Sequence, residues 1–183
     1  KNFNDVLIIS EVSQYDELSS ILLRGNSTTL EERKRFAAKA FNVSSHYDTA
    51  IFNYYNEEET VFKQSERNYK ILRYGENPHQ KGIFFGNIDD IFEQLHGKEL
   101  SYNNLLDIDA AINLIAEFNE CTFAILKHNN TCGIASRTRL VDAWKDAIVG
   151  DPVSAFGSVI ITNTKVDFKT ANEINNIFYE VLI

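Results

Sequence analysis

Three polar segments of this chain gather residue types that do chemistry. The first is Arg73-Tyr74-Gly75-Glu76-Asn77-Pro78-His79-Gln80. Its guanidinium suits paired hydrogen bonds to a phosphate or carboxylate, and a capped turn leading into a strand would use the same residues. The second is Lys127-His128-Asn129-Asn130-Thr131-Cys132-Gly133, directly after a buried-strand pattern. Adjacent Lys and His offer a fixed positive charge and a proton acceptor of the kind that works near neutral pH. Neighbours along an extended backbone point to opposite sides, so both reach one substrate only if the chain turns there. The alternative is a polar connection with the His bonded to backbone. The third is Asp151-Pro152-Val153-Ser154-Ala155-Phe156-Gly157-Ser158. Proline fixes its entry and Gly157 permits close approach to a ligand, although a well-made turn has the same composition.

Other chemistries are excluded. His128 and Cys132 stand four apart, but no second Cys or His follows at zinc-ligand spacing, so no metal is expected. Neither a dinucleotide fingerprint nor a P-loop occurs. The balance of 18 basic and 26 acidic residues gives −8 without a basic cluster. Nucleic acid and anionic membrane are therefore not expected partners, while a small anionic ligand needs only a local site. No apolar run reaches the roughly 18–20 residues that span a bilayer. Cys121 and Cys132 do not make a disulfide framework. The first residues lack a signal-peptide pattern, so a cytoplasmic setting is expected and the sequons at Asn26, Asn42 and Asn129 read as chance. With no methionine, the chain reads as an internal segment of a longer one.

The elements that must position these segments follow from periodicity. Val6-Leu7-Ile8-Ile9 is a short buried-strand candidate. Thr28 or Thr29, three residues before Glu31 or Glu32, signals a capping box. It opens a helix or helix pair with Phe36, Ala40, Val43, Tyr47, Ala50, Ile51 and Tyr54 on one face. A polar linker is expected from Asn56 to Asn68. Beyond it come a strand at Ile83-Phe84-Phe85 and a short helix from Ile88 to Leu95. Asp107 or Asp109 is the expected cap of a helix carrying Ala110, Ala111, Leu114, Ile115 and Phe118. A strand at 122–126 is followed by a polar loop, a helix around Leu140 to Ile148, and a strand at 159–162. A last helix is expected with Phe168, Ala171, Ile174, Phe178 and Val181. Strand, loop and helix in alternation point to an α/β fold.

In this order and spacing the segments resemble one family, the bifunctional enzymes joining aminoimidazole-carboxamide ribonucleotide (AICAR) formyltransferase to IMP cyclohydrolase. Its bacterial members carry RYGENPHQ, a stretch like Lys98-Glu99-Leu100-Ser101-Tyr102-Asn103-Asn104-Leu105-Leu106-Asp107, then KHNNPCG and DPVSAFGG. The resemblance spans essentially all 183 residues. It implies that residues 1–60 are the tail of the cyclohydrolase domain, with a methylglyoxal-synthase-like α/β fold. Residues 61–183 would be a linker and the first part of a formyltransferase resembling cytidine deaminase without its zinc.

The same resemblance implies the roles. His128 matches the proton acceptor, Lys127 the adjacent stabiliser of charge, and Arg73 and Tyr74 the pair holding the nucleotide. Gly157 and Glu180 match further substrate contacts, and Asn104 another active-site polar group. Lys1 matches the cyclohydrolase's lysine. The implied substrates are AICAR and 10-formyltetrahydrofolate, with no metal in the chemistry and a homodimeric parent. Thr131 departs from the family's proline and Ser158 from its second glycine, where a positive φ would be harder to reach. Two other functions compete. One is a nucleotide-binding or scaffolding segment that does not turn over. The other is a deaminase-like hydrolase, which the missing zinc ligands disfavour.

Overall fold

The computed structural model describes residues 2–183, which divide into two compact units, one ending at Tyr69 and the other spanning Lys70–Ile183.

The first unit is helical. A 3-10 turn, Val12–Gln14, leads into α1 (Tyr15–Leu23), and α2 runs over Leu30–Tyr55. Thr29 caps α2: its hydroxyl accepts from Glu32 N, and the Glu32 carboxylate accepts from Thr29 N. Both are donors that a helix start would otherwise leave unpaired. Phe36 is fully buried. Val6-Leu7-Ile8-Ile9 does not form the expected strand and belongs to neither sheet, with Val6 and Ile8 exposed. The polar stretch after α2 forms no helix or strand, and side chains and backbone of the first unit hold it. Asn53 Nδ2 donates to Lys63 O at 3.0 Å, His46 Nδ1 and Ser65 Oγ stand 3.0 Å apart, and Arg67 pairs with Glu11.

β1 (Tyr69–Ile71), which begins at the unit boundary, and β2 (Ile83–Phe85) form a two-stranded sheet that opens the second unit. The helix expected from Ile88 to Leu95 is only a 3-10 turn, Ile88–Asp90. Then come α3 (Tyr102–Ile115), β3 (Thr122–Lys127), β4 (Asn130–Ser136), α4 (Leu140–Val149), β5 (Ser158–Thr162), α5 (Phe168–Ile174) and β6 (Tyr179–Leu182). The sheet order is β4-β3-β5-β6, antiparallel except for the parallel β5–β6 pair.

β3 is buried almost throughout, because both its faces are covered. Phe123 and Ile125 join Ile160 against Leu140, Trp144 and Ala147 of α4 and Ile174 of α5. Ala124 and Leu126 join Val159 and Ile161 against Ile108 and Ala111 of α3. Each large apolar side chain so buried contributes roughly 1.5–3 kcal/mol. Residues alternating along one strand thus serve two cores, giving helices on both faces of a mixed sheet.

Three expectations change here. The polar loop after β3 contains a strand, β4. The last helix stops at Ile174, and Phe178 and Val181 belong to β6 and its approach. The cap of α3 is Ser101, six residues before Asp107: its hydroxyl accepts from Asn104 N at 3.2 Å.

Candidate functional site

The Lys127-His128 segment is a hairpin turn. Lys127 pairs with Asn130 across β3 and β4, leaving His128 and Asn129 as a two-residue loop with φ of 54° and 61°. Positive φ at both positions is the type I′ turn, whose twist matches that of the flanking strands. This is the chain reversal that two neighbouring side chains need if they are to serve one ligand. The pairing register shifts by one at Cys132, so this residue of β4 has no partner on β3. Such a bulge bends the strand and re-aims side chains.

Lys127 follows Phe123 and Ile125 in the alternation of β3. Its Nζ donates to Phe156 O at 2.6 Å, leaving two further N–H donors on the ammonium. The third polar segment is thereby tied to the second. Gly157 has φ +74° and donates its N–H to Phe178 O at 2.8 Å. A Cβ there would make ordinary contacts with the Phe178 ring and Lys127 Nζ, so the backbone angle rather than crowding requires glycine. Asp151 fixes the entry, accepting from Val153 N, Ser154 N and Ser154 Oγ. The Ser154 hydroxyl and the same backbone amides hold its carboxyl below the usual aspartate value, and Lys127 adds to the effect.

The first segment meets the start of α3. Tyr74 O accepts from Tyr102 N at 3.2 Å, and Asn103 Nδ2 donates to Glu76 O at 3.0 Å. Arg73 Nη2 donates to the Tyr74 hydroxyl at 3.0 Å, and its guanidinium carbon lies 4.8 Å from the centre of that ring. Ser101 and then Arg73 hold the Tyr74 phenol below its usual value, with the Glu180 carboxylate opposing them. The single Ser101 proton also serves Asn104 Oδ1 at 2.9 Å, so Arg73 is the cause that persists whichever way that hydroxyl turns.

Glu180 is exposed on β6, where the register passes from Ser158–Tyr179 to Val159–Val181 and skips it. The carboxyl end of β3 and the starting ends of β4, β5 and β6 lie at one end of the sheet. Lys127, His128, Gly157 and Glu180 share that end, and the electrostatic reach of Glu180 to Tyr74 connects it with the first segment. Asn104 is placed differently. It is buried, and its Oδ1 accepts from both N and Oγ of Ser101. Lys1 lies outside the described residues.

Of the two departures, Thr131 sits in β4 opposite Leu126. Ser158 has no positive φ, so a serine meets the backbone requirement, and its buried hydroxyl has no hydrogen-bond partner. Asp107, one of the two expected caps of α3, does not cap it. Its Oδ1 instead accepts from Asn129 N at 2.7 Å. Among the described residues no group of three His, Cys, Asp or Glu side chains could hold a metal ion, and no helix is long and apolar enough to cross a membrane.

The family model described as AICARFT/IMPCHase bienzyme matches residues 1–183. The chain belongs to this family. It is 58% identical over its whole length to a bifunctional purine biosynthesis protein PurH of Bacteroides thetaiotaomicron, covering 36% of that protein. Proteins of the same name from Acetivibrio thermocellus and Lactobacillus delbrueckii subsp. bulgaricus are 43% and 42% identical, again over the whole chain and 38% of theirs. The chain therefore spans little more than a third of the AICARFT/IMPCHase relatives it matches. Its sheet with helices on both faces is a mixed α/β arrangement.

Proposed function

We propose that this chain carries the nucleotide half of a formyltransferase site, in a parent that makes IMP in late purine synthesis. The parent transfers the formyl group of 10-formyltetrahydrofolate to the amine of AICAR and then cyclises formyl-AICAR to IMP. The observation that carries this reading is the bond from Lys127 Nζ to Phe156 O. It joins two of the segments on which the family resemblance rests, with His128 at the adjacent turn.

The AICAR amine is a weak nucleophile, because its lone pair is shared with the imidazole ring. As its nitrogen bonds to the formyl carbon, the carbonyl electrons move to oxygen and the amine must lose a proton. His128 accepts that proton. The ammonium of Lys127, held by Phe156 O, stabilises the developing oxyanion with its remaining donors. Collapse re-forms the carbonyl and breaks the bond to the folate nitrogen, which leaves with a proton. Arg73 and Tyr74 hold the nucleotide; Gly157 and Glu180 bound it on the other side. Asn104 contributes through the cap of α3. Lys1 belongs to the cyclohydrolase.

On this reading residues 1–60 end a methylglyoxal-synthase-like domain and residues 61–183 begin a cytidine-deaminase-like one that works without zinc. The parent is a cytoplasmic homodimer. The chain alone is a nucleotide-binding segment that does not turn over, since a donor that is not positioned cannot react. The test is a steady-state assay of the full-length parent and of the 183-residue chain with AICAR and 10-formyltetrahydrofolate. Formyl-AICAR from the parent only is expected. No product from the parent, or folate-dependent product from the chain alone, would overturn the assignment.

A further inference from the structure

The turn that presents His128 is held from α3. Its two residues both carry side chains at positive φ, a region that favours glycine, and the hairpin has none there. Asp107 receives the backbone N–H of Asn129 at 2.7 Å. The Asn129 side-chain amide lies against the same carboxylate oxygen at 3.0 Å and Leu106 O at 3.1 Å, two acceptors that its nitrogen, and not its oxygen, can satisfy. Asn130 Nδ2 closes the other side on His128 O at 2.8 Å. Within this set Asp107 is the one group from another element that meets the turn through its side chain. It is half-buried, on a helix whose inner face packs on β3 and β5.

We propose that Asp107 is a positioning residue for formyl transfer: by holding Asn129 it fixes the turn that aims the His128 ring. This rests on His128 being the proton acceptor. Asp107 touches no reacting atom; it acts through the turn. A charge-assisted bond to a backbone N–H is short and directional, and it ties the turn to α3, whereas the Asn130 bond to His128 O and the strand pairing act within the hairpin. Without it the turn relaxes and the imidazole leaves its attack geometry. A displacement of about 1 Å is enough to cost on the order of a hundredfold in rate.

The experiment uses the full-length enzyme and a cycle of Asp107→Ala, His128→Ala and the double variant. Asp107→Ala is expected to lower kcat about ten- to a hundredfold with KM for AICAR within about threefold of the parent's. Asp107→Asn keeps an acceptor oxygen and should recover most of the rate. In the His128→Ala background, Asp107→Ala should have little further effect, because the group it aims is gone. An equal loss in both backgrounds, or a KM effect without a kcat effect, overturns the proposal. So does failure of Asp107→Asn to recover activity. If His128→Ala itself keeps a normal kcat, the underlying site assignment fails instead, and the two failures are distinct. Should Asp107→Ala prove insoluble, Asp107→Ser takes its place, keeping a polar group too short to reach Asn129.

Discussion

Arg73 reaches across the face of Tyr74 and donates from Nη2 to the phenolic oxygen of that same neighbour. Each residue thereby limits the other's rotamers before any ligand arrives. The Nε and Nη1 edge is the part of the guanidinium that this bond does not use.

A grip of that kind acts on ground and transition states alike. In the full-length enzyme Arg73→Ala should raise KM for AICAR about ten- to a hundredfold, from a loss of roughly 1.5–3 kcal/mol, with kcat nearly unchanged. Arg73→Lys should recover only part, because a point charge lacks the planar fork. Comparing AICAR with its dephosphorylated nucleoside checks the phosphate. Variants that discriminate the two as well as the parent would remove Arg73 from that role.

His128→Ala should lower kcat by about 10²–10⁴-fold and leave KM for AICAR almost unaltered. Lys127→Ala should lower kcat too, but its KM should rise as well. The ammonium also anchors Phe156 O beside Gly157, so its removal loosens the substrate-binding turn. Steady-state kinetics separate the two patterns, and identical behaviour of both variants would contradict the geometry.

Tyr74 ionises more readily than an ordinary tyrosine, since Ser101 and Arg73 favour its phenolate. The stabilisation from a depressed value is complete above the unfolded phenol's pKa of about 10. That contribution is lost as pH falls through the folded value, so neutral stability does not depend on it. Phenolate absorbance in an alkaline titration should lose its earliest step in Tyr74→Phe. The step should move up in Arg73→Ala and down in Glu180→Gln. An unmoved step in both variants would show that neither group faces the phenol.

At Gly133 a Cβ would come within 1.8 Å of Ala147 O. Both partners there are backbone, so β4 and α4 would have to part. Gly133→Ala should destabilise the unit by at least the roughly 1–3 kcal/mol typical of overpacking, measured as a lower urea midpoint. An unchanged midpoint would mean that the two elements do not approach so closely.

The readable parts of this chain were those whose own residues carry the signal. Thr29 with Glu32, the apolar run of β3, and Leu140 to Ile148 declare a cap, a buried strand and a helix. β4 was hidden because Asn130, Thr131, Cys132 and Gly133 look like a loop, and their pairing with β3 is what makes them a strand. β6 was hidden by Phe178 and Val181, which continue the helical spacing of α5 after Asn175 has ended it. The site segments were recognisable by type, but the tie between Lys127 and Phe156 joins residues 29 apart. Nor could Asn104 be told from a ligand-facing amide until Ser101 was seen to occupy its oxygen.

The hairpin at His128 and the long connection to Phe156 differ in how they take an insertion. The bond between Lys127 and Phe156 closes a span of 29 residues, and closure entropy grows so slowly that even doubling a loop costs only about 0.6 kcal/mol. Extra residues at the exposed bend around Thr138, between β4 and α4, would therefore leave that bond nearly as favourable. One extra residue between His128 and Asn129 would shift β4 by one position and turn its side chains to the opposite faces of the sheet. Length can thus vary at that bend, while the two residues of the turn fix the phase of everything that follows them in β4.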